Sequence, residues 1–123
     1  MLRQLTIRDF VIVDRLELAF GDGFGALTGE TGAGKSILID ALALALGERA
    51  DAGVVRQGCD KAEVVACFDI AALPEVAVWL KDHDLDGDDE LLLRRVVDAG
   101  GRSRAYINGS PATVQQLREI GES

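Results

Sequence analysis

The stretch GETGAGKS, Gly29 to Ser36, constrains this chain more than any other. It satisfies the spacing G-x-x-x-x-G-K-S between two apolar runs, FGALT (24–28) and SILIDALALAL (36–46). A strand, a glycine loop and a helix in that order form the context in which such a loop cradles phosphates. Gly32 and Gly34 lack a Cβ, so the backbone there reaches positive φ and comes close to phosphate oxygens. Successive N–H groups then form an anion nest, reinforced by the positive pole of the following helix. Lys35 is placed to span the β- and γ-phosphates, and the Ser36 hydroxyl to ligate Mg²⁺. The expectation is an α/β fold of the P-loop NTPase class.

Hydrolysis needs more than a phosphate grip: a carboxylate must organise metal and water. VVACFD, ending at Asp69, has the form of an apolar run closed by an acid. However, Glu63, Val65, Cys67 and Asp69 alternate with an apolar face, which suits a half-exposed antiparallel strand. IAALP follows where a water-positioning residue is needed, and RRVVD, ending at Asp98, runs straight into a turn. DHDLDGDDE (82–90) places six acids together. Asp82, Asp84, Asp86 and Gly87 fit the opening of a calcium loop, but its twelfth position is Leu93 rather than a bidentate Glu, and its eighth is Asp89. The segment reads as a solvated acidic loop.

A length of 123 residues suggests one domain. The formal charge of −8 argues against the chain as a whole being a strong nucleic-acid binder. If DNA is touched, the segment with Arg94, Arg95, Arg102 and Arg104 is the better candidate; a solvated strand face is the plainer reading. Gly47, Glu48 and Arg49 close the longest apolar run well short of the ~18 residues of a membrane span. Charges at Arg3, Arg8, Asp9, Asp14, Arg15 and Glu17 do not suit a signal peptide. Cys59 and Cys67 read as reduced thiols and His83 as a surface residue, so the expectation is a cytoplasmic chain without a membrane partner.

The periodicity predicts strands at LRQLTIRDF and RLELAF, with Leu5, Ile7, Leu16, Leu18 and Phe20 on one face. GDG (21–23) is a turn and FGALT a short strand. The helix from Lys35 to Leu46 is apolar on nearly every side, which predicts burial, and Gly47 is its stop. KAEVVACFDI turns Ala62, Val64, Ala66, Phe68 and Ile70 to one face, and PEVAVWLKDHDL is a short helix opened by Pro74. ELLLRRVVD and RSRAYING form a hairpin across DAGG (98–101), with a second turn at Asn108-Gly109. Thr113 to Gln116 is a capping box that opens a helix running to the end of the sequence.

LTIRDFVIVDRLELAF, LTGETGAGKSILIDALALALGERA, VVRQG, GRSRAYING and the trailing LREIG together resemble the N-terminal segment of the RecN family. That family comprises bacterial DNA double-strand-break repair ATPases related to the structural maintenance of chromosomes (SMC) proteins. The resemblance covers nearly the whole chain and is weakest from Ile70 to Asp89. It implies that residues 1–123 are the N-terminal lobe of an ABC/SMC-type head, with a mixed sheet and an antiparallel β subdomain. The signature sequence, the Walker B acid and a switch histidine would lie in a separate C-terminal lobe, and a Q-loop glutamine just beyond Ser123.

Carried over residue by residue, the resemblance implies that Gly29, Glu30, Thr31, Gly32, Ala33, Gly34, Lys35 and Ser36 bind ATP. Lys35 would be catalytic and Ser36 would hold Mg²⁺. Arg56, in VVRQG, matches a position near the nucleotide and the head–head interface, although a plain surface arginine stays open. Arg8, Asp9 and Phe10 lie where related heads pass near the adenine. The implied partners are the C-terminal lobe, a second head in an ATP-sandwiched homodimer, and duplex DNA or DNA ends. The implied setting is the bacterial cytoplasm, at the nucleoid.

Two rivals stay open: a self-contained P-loop kinase or NTPase using Asp69, and an ATP-gated dimerisation module without turnover. A lobe lacking its complement is also expected to be aggregation-prone or marginally stable.

Overall fold

The computed structural model describes residues 2–10, 13–19, 32–49, 52–71, 73–85 and 90–121. Six strands build one sheet: β1 (Leu2–Phe10), β2 (Val13–Ala19), β3 (Lys61–Asp69), β4 (Glu90–Asp98), β5 (Ser103–Ile107) and β6 (Ser110–Ala112). Their order is β2-β1-β3-β4-β5-β6, and every described pairing is antiparallel. The GDG turn and the strand at 24–28, whose parallel pairing would make the sheet mixed, lie outside the described residues.

The sheet has one apolar face because its strands alternate. Leu5 and Ile7 of β1, Ala62, Val64 and Ala66 of β3, and Leu91, Leu93 and Val97 of β4 are buried on it. Ile7 faces Leu16 across β1–β2, and Leu16 packs against the same core. Leu18 lies directly opposite Leu5 in the register. Helix α1 (Gly32–Ala45) lies against this face, touching β1, β3 and β4. Ala41 and Ala45 on the helix and the alanines of β3 are all buried, so small side chains let helix and sheet approach closely. The expectation of an all-round buried helix needs correction: Ile39 is 65% exposed and Asp40 is also exposed. An apolar composition predicts cover, but within the described residues that side of α1 has none.

Local rules account for the remaining elements. Helix α2 (Pro74–Asp82) opens with Pro74 in its first turn and buries Val76 and Leu80. The β4–β5 turn is held by the Asp98 carboxylate, whose Oδ1 accepts the N–H groups of Gly100 and Arg102, both at 2.9 Å. Asn108 and Gly109 stand at φ +51° and +84°, the pair of left-handed residues that a two-residue hairpin needs. Asn108 also ties the hairpin to its neighbours: its Oδ1 accepts the Leu92 N–H and its Nδ2 donates to the Leu85 carbonyl. Helix α3 (Val114–Gly121) begins with the expected capping box. The Gln116 N–H donates to Thr113 Oγ1 at 3.0 Å, and the Thr113 N–H to Gln116 Oε1 at 2.9 Å.

Candidate nucleotide site

Helix α1 starts at Gly32, inside the phosphate-loop motif. The N–H groups of its first turn, Gly32 to Lys35, have no intrahelical acceptor, and the dipole of a 14-residue helix adds positive potential there. No acidic residue stands in that turn to compete with an anion. Gly29, Glu30 and Thr31 lie outside the described residues. Gly32, Ala33, Gly34, Lys35 and Ser36 form the first residues of the α1 backbone. The sequence Gly32-Ala33-Gly34-Lys35-Ser36 at this end of α1 offers two glycines, a lysine and a hydroxyl in the order a triphosphate with Mg²⁺ requires.

The opposite end of α1 is closed. Gly47 takes φ +100°, and the Glu48 N–H donates to the Ala43 carbonyl while the Gly47 N–H donates to that of Leu44. This is a Schellman stop at the glycine expected to end the helix. Arg95 of β4 donates to the Leu44 carbonyl at 3.0 Å, to the Glu48 carbonyl at 2.9 Å and to Ser103 Oγ. Arg118 of α3 donates to the Gly47 carbonyl at 2.9 Å. Arg95 is only 2% exposed, and its burial, helped by the nearby charge of Arg118, lowers its pKa. Arg95 therefore leaves the set of surface arginines proposed from sequence. The signal was present, since Arg95 shares the inward register of Leu91, Leu93 and Val97, but charge alone had placed it outside.

Arg56 converges with the other segment singled out, Arg8 to Phe10. Its N–H donates to the Asp9 carbonyl at 2.8 Å, Val55 bridges to Phe10, and its guanidinium lies 3.5 Å from Asp14. Asp9 stands at φ +50°, where the alternation of β1 breaks: Arg8 is exposed, yet Phe10 is buried in the core. Burial and the neighbouring Asp9 carboxylate raise the pKa of Cys59, two residues past Gln57. Burial likewise raises that of Cys67. Both are free thiols, and a raised pKa is the opposite of what activates a thiol as a nucleophile.

Asp69 is held at the end of β3. Its Oδ1 accepts the Ala71 N–H at 3.0 Å and its Oδ2 pairs with Arg3 at 2.9 Å. These contacts, the backbone one first, lower its pKa. β3 is paired along one side with β1 and along the other with β4, so it has no edge left for the strand at 24–28. Asp98 is spent on its turn. Of the acidic loop, Asp82 ends α2 and Asp84 follows it; Asp86, Gly87, Asp88 and Asp89 lie outside the described residues. Among the described residues no group of three His, Cys, Asp or Glu side chains is placed to hold a metal. His83 stacks on Trp79 at a centroid distance of 3.9 Å and is exposed, as expected.

Residues 4–72 match the family model described as "AAA domain". The chain belongs to that family. It also matches the N-terminal region of the DNA repair protein RecN. Identity is 50% over 120 residues with RecN of Xylella fastidiosa (strain Temecula1), covering 98% of this chain and 22% of that protein. With RecN of Vibrio cholerae serotype O1 it is 49% over 122 residues, covering 99% and 22%. The chain thus spans about a fifth of the length of the curated relatives it matches. Among solved structures, a chain from a study of ATP-driven dimerisation and DNA-stimulated activation of SMC ATPases superposes with a TM-score of 0.76 at 25% identity. That superposition covers 97% of this chain and 76% of the other. The fold is that of the N-terminal lobe of an SMC-type head, the architecture expected from the sequence. No described helix is long and apolar enough to cross a membrane.

Proposed function

We propose that this AAA-family chain is the N-terminal, ATP-binding lobe of a RecN-like head, spanning residues 1–123. The observation that carries the reading is the sequence GETGAGKS opening α1 at Gly32. Gly29, Glu30, Thr31, Gly32, Ala33 and Gly34 wrap the phosphates, Lys35 bridges the β- and γ-phosphates, and Ser36 ligates Mg²⁺. Mg²⁺, when held by Ser36, would supply charge neutralisation to the phosphates. Arg56, fixed beside Asp9, faces the nucleotide and the second head. A C-terminal lobe supplies the signature sequence and the Walker B acid, and ATP is sandwiched between two heads of a homodimer. ATP hydrolysis to ADP and phosphate then opens the heads, and the cycle serves DNA double-strand-break repair and recombination at the bacterial nucleoid.

Two features support a separate lobe. Ile39 leaves an apolar side of α1 uncovered, and β3 has no free edge, so Asp69 is poorly placed to serve as the metal-organising acid. The test is ATP binding and turnover by the chain, by Lys35→Ala and by Asp69→Asn, each with and without the complementary lobe. Binding that depends on Lys35, with turnover only when the lobe is added, is the expected result. Turnover by the chain alone that disappears in Asp69→Asn establishes the self-contained kinase or NTPase instead. Binding without turnover even with the lobe establishes the non-hydrolysing module.

A further inference from the structure

Arg56 combines a pinned backbone with a loosely held side chain. Its N–H donates to the Asp9 carbonyl at 2.8 Å, its carbonyl accepts the Cys59 N–H at 3.0 Å, and Val55 bridges to Phe10. Phe10 is 2% exposed, so this segment is fastened to the end of β1 at a core residue. Two carboxylates share the same corner. Asp9 and Asp14 lie across from each other on paired strands, between the register pairs Arg8–Arg15 and Phe10–Val13. Like charges opposite one another repel and destabilise the pair. Arg56 answers that repulsion: its guanidinium lies 3.5 Å from Asp14, and the Cys59 thiol meets both Arg56 and the Asp9 carboxylate. Arg15, next to Asp14 in the chain, turns to Glu17 at 3.9 Å, so Arg56 is the cation that Asp14 meets among the described residues.

The ion pairs of this lobe differ in kind. Arg94 donates twice to Glu63, at 2.9 and 2.6 Å, and lies over the Tyr106 ring at 5.0 Å. Arg3 donates to Asp69 at 2.9 Å. Both pairs clamp one strand to its neighbour. The Arg56–Asp14 contact is longer, and its side chains are 41% and 78% exposed. An exposed pair of this kind adds little to fold stability and opens easily. A phosphate is a stronger partner for a guanidinium, because it accepts two charge-assisted hydrogen bonds in parallel.

We infer that Asp14 is a positioning residue for Arg56: its carboxylate holds the guanidinium aside in the nucleotide-free chain, and bound ATP takes the guanidinium from it. This rests on the reading above, in which Arg56 faces the nucleotide. Because the backbone is fastened at Asp9 and Phe10, the exchange is confined to the side chain, which swings between two anions about a fixed Cα. Asp14 thereby sets a threshold for binding. Only the fraction of molecules with Arg56 released is fully competent, and apparent affinity falls in proportion to that fraction. Releasing Arg56 also leaves Asp9 and Asp14 facing each other, which adds to the threshold. A ligand without phosphates gains nothing from Arg56 and is indifferent to Asp14.

The test is calorimetric titration of ATP and of adenosine into the full chain, into Asp14→Asn, Asp14→Glu and Arg56→Ala, and into the Asp14→Asn/Arg56→Ala double variant. Lys35→Ala serves as the nucleotide control, and the melting temperature is taken for each protein. Asp14→Asn is expected to tighten ATP binding about two- to fivefold near 0.1 M salt, the worth of an exposed ion pair. The gain fades toward 1 M salt, where the Debye length is about 3 Å. Asp14→Glu restores the wild-type affinity, adenosine binding does not respond, and the gain disappears in the Arg56→Ala background. A merely structural Asp14 moves the melting temperature without this salt-dependent, Arg56-dependent change in affinity. Unchanged ATP affinity in Asp14→Asn, with wild-type binding that still needs Lys35 and Arg56, overturns the positioning role and leaves the nucleotide reading standing. An equal gain with and without Arg56 overturns it as well, since Asp14 then repels the nucleotide directly. A wild type that binds no ATP, or binds it equally well as Arg56→Ala, overturns the reading of the site on which the inference rests.

Discussion

The two ends of α1 solve the same problem in opposite ways. Both ends of any helix leave backbone groups unpaired and carry partial charge. At the C-terminal end the protein satisfies them from within, through the Gly47 stop, the buried Arg95 and Arg118. At the N-terminal end the first-turn sequence is glycine, alanine, glycine and lysine, with no acid to cap it. One end is an anchor, and the other is the receptor we propose. A helix held firmly at one pole presents the donors of its other pole at a fixed place, which is what a phosphate site requires.

The largest effect is expected at the anchor. Arg95→Met strips donors from the Leu44 and Glu48 carbonyls and from Ser103 while leaving them covered, at a cost of about 3–5 kcal/mol. A denaturant titration measures it, and a loss below about 1 kcal/mol breaks the contrast between the ends. Lys35→Ala tests the receptor. It should weaken ATP binding about 100-fold, the worth of a charge-assisted contact to phosphate, and leave the melting temperature within a degree or two of wild type. Calorimetric titration reads the first and a thermal scan the second. If the two variants change the same observable, the ends are not divided as argued.

Gly47→Ala sharpens the picture of the anchor. Its φ of +100° is costly for any residue with a Cβ, and that Cβ would lie 2.6 Å from Arg118 Cγ and 2.8 Å from the Arg118 backbone nitrogen. A loss of about 2–3 kcal/mol is expected, more than the ~1–2 kcal/mol of the left-handed backbone alone. Thr113→Ala, which removes half of the capping box ahead of Arg118, should cost about 1 kcal/mol. The smallest effect concerns pH. The Ala71 N–H and Arg3 hold the Asp69 pKa below its ordinary 3.8, so its contribution is present above that value and is lost as pH falls through the lower, folded-state pKa. Asp69→Asn should flatten that acid limb in a stability–pH profile, lowering the neutral plateau slightly and converging with wild type in acid.

What could be read directly from the sequence was local. The stop at Gly47, the start at Pro74, the Asn108-Gly109 turn and the capping box from Thr113 each depend on φ preferences or hydrogen bonds within a few residues. Alternation likewise identified β3 as an antiparallel strand before its partners were known. Tertiary structure alone decided what those elements meet. Arg95 reaches Leu44 across 51 residues and Arg118 reaches Gly47 across 71. Contacts at such separations are selected by the summed packing of the sheet against α1, and no short stretch of sequence encodes that sum. The same holds for Arg56 beside Asp9 and for the exposure of Ile39. The phosphate chemistry we propose for the loop is legible in the sequence by itself, because it lies in eight consecutive residues. The direction of each arginine, toward the helix or toward solvent, was decided only when the strands took their register.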